Sequence, residues 1–122
     1  MRGHALLLAA ALVLGASAAA ADQRGCLFER QIYEGVSRTV ALPVGLNWSG
    51  QRGVVTVQVA GGGRYDSATR LAATGGMEMS FRTPVSSETL TIDRNGNALW
   101  AIAFDDGRVM SYAGRCGQVA AG

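Results

Sequence analysis

The residues of this chain that could do chemistry are few, and the most telling of them sit together. Gly61, Gly62 and Gly63 precede Arg64, Tyr65 and Asp66, placing a guanidinium, a phenol and a carboxylate in succession behind a flexible lead. Arginine presents a planar fork of donors that fits carboxylates and stacks on rings. Arginine and tyrosine are also enriched where a few side chains carry most of the energy of a contact. The glycines permit left-handed backbone and close approach to a surface. This is the chemistry of grip, not of bond making. Gly62, Gly63, Arg64, Tyr65 and Asp66 are therefore the candidate binding residues of a protruding tip, with an ordinary flexible loop as the plainer alternative.

Most routes to catalysis are closed. His4 is the one histidine and there is no lysine at all, so imidazole-based triads, histidine metal sites and Schiff-base chemistry have no residues to run on. The glycine run lacks the lysine and the following helix of a phosphate-binding loop. Asp105 and Asp106 are adjacent but belong to an Asp-Gly turn, where both are solvated, whereas paired-carboxylate hydrolysis needs two acids facing across a cleft. Met77 and Met79 share a strand face and could hold Cu(I), yet without histidine or a further methionine cluster they are better placed as core fillers. The expectation is a protein that is not an enzyme, with no cofactor and no metal.

The N-terminal segment sets the compartment. Arg2 gives a positive start, residues 5–14 form an apolar run, and small residues follow to Ala21. That is the layout of a secretory signal peptide, and its apolar run is about half of the roughly 20 residues that a spanning helix needs. Residues 1–21 are thus expected to be a signal peptide, cleaved after Ala18, Ala20 or Ala21, and 22–122 a single exported β domain, periplasmic or secreted, with no membrane span. The formal net charge of +2, part of it from Arg2, argues against nucleic acid as partner. In an oxidising compartment Cys26 and Cys116 are expected to pair.

Those residues need a frame. The chain falls into short alternating runs broken by turn signals, which points to an all-β antiparallel domain. Val55, Val57 and Val59 alternate with polar neighbours; Met77, Met79 and Phe81 share a face; Leu90 and Ile92 turn opposite to Thr89 and Thr91. Trp100, Ile102 and Phe104 lie on one side of their run, with Ala101 and Ala103 on the other. Asn95-Gly96 is a strong short hairpin signal, because both positions tolerate positive φ, and Pro43 suits an edge strand or a bulge. About seven strands are predicted, in a small barrel or sandwich whose terminal regions are clasped by the disulfide.

At Ala60–Ser67, "AGGGRYDS", the chain resembles the conserved loop of the periplasmic and membrane-bound inhibitors of c-type lysozyme, with the family's loop serine replaced by Gly61 or Gly62. That resemblance implies a small exported barrel that places Arg64 and Tyr65 in the acidic cleft of a lysozyme. A protein partner is accordingly expected, a c-type lysozyme or another hydrolase. Two alternatives stand beside it: an envelope-assembly module that pairs through an exposed edge strand, and a barrel that binds a small ligand among Trp48, Trp100, Phe104 and Met110.

Overall fold

The computed structural model describes residues 22–73 and 75–118, so the expected signal peptide, with His4, lies outside the described residues. Among the described residues eight strands run in sequence order: β1 Asp22–Tyr33, β2 Val36–Ser49, β3 Arg52–Val57, β4 Arg64–Leu71, β5 Met77–Arg82, β6 Ser86–Ile92, β7 Asn97–Phe104 and β8 Val109–Gln118. Each is antiparallel to the next, and β8 returns to β1, which closes a barrel. A barrel, not a sandwich, is the architecture. Among the described residues no helix is long and apolar enough to cross a membrane.

The strand missing from the seven-strand expectation is β1. Its inward pair Cys26 and Phe28 is followed by Glu29 and Arg30, both exposed, because the register with both neighbours shifts between Phe28 and Arg30. An extra residue at a bulge breaks the two-residue period by which strands are recognised. The other runs keep their parity. Val44 and Leu46 of β2, Val55 of β3, Met79 of β5, Leu90 of β6 and Trp100 of β7 all turn inward and are buried. Together with Phe28 they form the filling of an interior whose width, at eight strands, suits side chains or one small ligand.

Loops alternate between two ends. Connections at 34–35, 58–63, 83–85 and 105–108 lie at one end, here the mouth; those at 50–51, between β4 and β5, and at 93–96 lie at the other. The expected hairpin turn forms at Asn95-Gly96, with positive φ at Gly96, 89°, and not at Asn95. Asp93 N–H donates to the Asn97 carbonyl and Gly96 N–H to that of Asp93. The connection is therefore three residues ending in a left-handed glycine, a form in which Asn95 needs no positive φ.

Cys26 and Cys116 face each other directly in the β1–β8 register and are bonded, across a sequence separation of 90. Both are buried. The pairing of β2 with β3 begins only at Val44, so residues 36–42 of β2 lie beside β1 alone. Pro43 stands at that boundary. Its carbonyl accepts from Gln58 N–H just beyond the end of the β3 ladder, a place where a missing backbone donor costs nothing.

Candidate functional site

The glycine run is the lip of the barrel mouth. Val59, Ala60, Gly61, Gly62 and Gly63 line a cavity of about 370 Å³ whose deeper walls are Tyr65, Glu88, Trp100, Ile102, Phe104, Met110 and Tyr112. Three features shape this lip. Gly62 N–H donates to the Val59 carbonyl and Val57 N–H to that of Gly63, both at 2.8 Å. Gly61 sits at φ 78°, a conformation that costs glycine nothing. A Cβ at Gly62 would collide with the Val57 carbonyl, and one at Gly63 would fall on the Tyr65 hydroxyl. Glycine is thus required at Gly61 by its φ and at Gly62 by the backbone it meets, and at Gly63 it leaves room for the Tyr65 hydroxyl where it stands.

Of the five predicted binding residues, the structure brings together Gly62, Gly63 and Tyr65 and separates Arg64 and Asp66 from them. Tyr65 shares its inward parity with Ser67 and Thr69. Its ring stacks on Phe81 with centroids 4.9 Å apart and planes at 15°. β4 and β5 pair only over Ala68–Leu71 and Met77–Ser80, so this ring pair packs where the two strands have parted. Arg64 and Asp66 project from the outer surface and are exposed. The tyrosine is folded into the mouth and does not stand at a presented tip. Of the residues expected to line an interior ligand site, Trp100, Phe104 and Met110 do line this cavity, whereas Trp48 lies elsewhere in the barrel.

Glu88 is the residue that sequence reasoning missed. It lies on β6 with the inward parity of Leu90 and Ile92, and it is 9 % exposed. Its Oε1 accepts from Trp100 Nε1–H at 2.8 Å, and its Oε2 accepts from Ser86 Oγ at 2.7 Å. Ser86 is in turn 2.6 Å from Thr83 Oγ1. Since the Ser86 proton goes to the carboxylate, Thr83 is the donor in that second bond, and the chain of hydroxyls is oriented toward Glu88. The signal that could have found this carboxylate was its position in the alternation, opposite to the solvent-facing threonines.

Rings and balanced charges surround it. Trp100 lies 5.8 Å from Phe28 and 5.5 Å from Tyr112, centroid to centroid, and Gln31 Nε2 donates to the Tyr112 hydroxyl at 2.9 Å. At the rim, Arg82 pairs with Asp105 and Arg108 with Asp106, each at 2.7 Å. The Asp106 carboxyl is held below its ordinary range, first by the backbone N–H of Arg108 and then by its guanidinium. The Arg108 guanidinium also lies 4.8 Å from the centre of the Phe104 ring. Asp105 and Asp106 are thus solvated turn residues, and Glu78, on the outer face, pairs with Arg70. Among the described residues no three potential metal-binding side chains of the His, Cys, Asp or Glu type cluster. No family model, no curated protein and no solved structure matches the chain at a significant level.

Proposed function

We propose that the chain is a non-enzymatic exported binding protein that takes a small organic molecule into the mouth of its barrel, with the glycine-rich segment 59–63 as the lip. The observation that carries this is that the glycine lip, the ring cluster and the buried carboxylate border one and the same cavity. Its volume of about 370 Å³ falls near the lower end of the roughly 300–1,000 Å³ of small-molecule sites. An apolar wall with a few placed polar groups is also the usual composition of such sites. The test is spectroscopic. In a Trp48→Phe background Trp100 is the single tryptophan, and its emission should shift and saturate when a library of small apolar-bodied compounds is titrated. A library that leaves Trp100 emission unmoved at millimolar concentration would refute the proposal.

A second reading, inhibition of a c-type lysozyme or another hydrolase, draws support from the exposed Gly61, Gly62 and Arg64 at the β3–β4 connection. In this form Arg64 and the glycine backbone would make the contact, with Tyr65 bracing the loop from inside. Loss of lysozyme activity at a tenfold molar excess of the processed protein, relieved by Arg64→Ala, is the expected result. Full lysozyme activity at that excess would remove the reading. Strand addition by an assembly partner would use residues 36–42 of β2, which carry a neighbour on one side only.

A further inference from the structure

We infer that the barrel mouth selects a small organic monocation, an ammonium group on an apolar or aromatic body; this names the ligand class of the binding site proposed above and rests on that proposal. The starting point is the environment of Glu88. Its two oxygens accept one hydrogen bond each, from an indole N–H and a serine hydroxyl, both neutral. A carboxylate oxygen has two acceptor sites, so capacity for further donors remains on the cavity side. None of the ion pairs among the described residues involves Glu88. A carboxylate withdrawn from water with neutral partners alone carries a desolvation cost that an opposite charge offsets.

The rest of the cavity agrees with a cation. Glu88 is the one charged residue in its lining. The rim arginines Arg82 and Arg108 are each matched by an aspartate and Arg64 projects from the outer surface, so the charge inside the cavity is that of Glu88. Trp100 donates to the carboxylate and Tyr112 packs against Trp100, both lining the cavity, and aromatic faces attract cations, tryptophan most strongly. The apolar body of the ligand then has Leu42, Val57 and Met110 to rest against. An anion would meet the Glu88 carboxylate. A neutral alcohol would satisfy a lone pair but leave the charge unpaired.

The experiment uses three probes with one body and three charges: 2-phenylethylammonium, 2-phenylethanol and phenylacetate, titrated at neutral pH against the Trp48→Phe protein with Trp100 emission and calorimetry as readouts. The ammonium should bind at least about tenfold more tightly than the alcohol, the gain expected for a desolvated cation beside a carboxylate and rings, and phenylacetate should bind most weakly. Glu88→Gln keeps an acceptor for Trp100 Nε1–H and should bring ammonium and alcohol to within about twofold of each other. The wild-type charge series needs no substitution, so the inference remains testable whether or not that variant folds. If the alcohol equals the ammonium in the wild type, cation selection is overturned while the mouth remains a binding site. If none of the three binds by either readout, selection of an aromatic-bodied monocation is overturned, and the library titration decides separately whether the mouth binds small molecules.

Discussion

Glu88 and Tyr65 are the residues whose substitution separates a furnished interior from a plain one. Glu88→Ala removes the acceptor from Trp100 Nε1–H and from Ser86 Oγ together, and a buried donor left unpaired costs about 1–3 kcal/mol. Urea titration should therefore find Glu88→Ala less stable than Glu88→Gln by about that amount, since the amide still offers an oxygen to the indole. Equal stabilities would mean that the two hydrogen bonds do not hold the carboxylate in place. Tyr65 and its neighbour Arg64 give a sharper contrast. Tyr65→Ala deletes the ring stacked on Phe81 and should cost about 1–3 kcal/mol for a partly buried aromatic. Arg64→Ala, exposed and without an ion pair among the described ones, should stay within about 0.5 kcal/mol. Two neutral substitutions would return the tyrosine to the outside of the loop.

The elements place these side chains, and their turns respond to acid. Asp93 of the β6–β7 connection accepts from the backbone N–H groups of Asn95 and Asn97 and from the Asn97 side chain, at 2.8, 2.9 and 3.0 Å. The Asn97 side chain first, then its backbone N–H, hold the Asp93 carboxyl below its ordinary value, and Arg115 adds to this. A carboxyl whose folded pKa is depressed stabilises the fold fully above its unfolded pKa and loses that contribution as pH falls through the folded value. The melting temperature of wild type should thus exceed that of Asp93→Ala by a constant margin down to about pH 5 and converge on it below about pH 4. A margin unchanged at low pH would show that the turn does not depend on the ionised carboxylate. The strands bracketing this turn were the most legible part of the sequence, because Leu90, Ile92, Trp100 and Ile102 alternate without interruption. β1 was illegible for the opposite reason: its bulge puts Glu29 and Arg30 on the outside in succession. The orientation of β4 was hidden as well. Tyr65, Ser67 and Thr69 all face inward, yet serine and threonine do not mark an interior by their polarity. The same parity that identified Leu90 as core also placed Glu88, and its charge masked it.

Closure of the barrel is a property of the whole molecule, and it is secured twice at the same seam. The β1–β8 ladder runs from Arg24↔Gln118 to Tyr33↔Met110, and the Cys26–Cys116 bond sits toward the end away from the mouth. Linking residues 90 apart removes conformations from the unfolded chain, and for a loop of that length the chain-entropy relation gives about 4–5 kcal/mol. That is comparable with the roughly 5–15 kcal/mol by which domains are stable at all. Reduction should therefore lower the urea midpoint steeply. The mouth should not feel it below the melting range, because Tyr112 and Met110 remain held by the ladder and by Gln31, whose side-chain amide donates to the Tyr112 hydroxyl. The two effects are read in one sample of the Trp48→Phe protein: Trp100 emission before and after dithiothreitol, and then the denaturation curve. An unchanged spectrum with a displaced midpoint is the expected result, and it would assign the disulfide to persistence outside the reducing interior of a cell. A spectrum that shifts on reduction at 25 °C would instead mean that the clasp sets the shape of the cavity from the far end of the barrel. Binding would then depend on the redox state of the compartment in which the protein works.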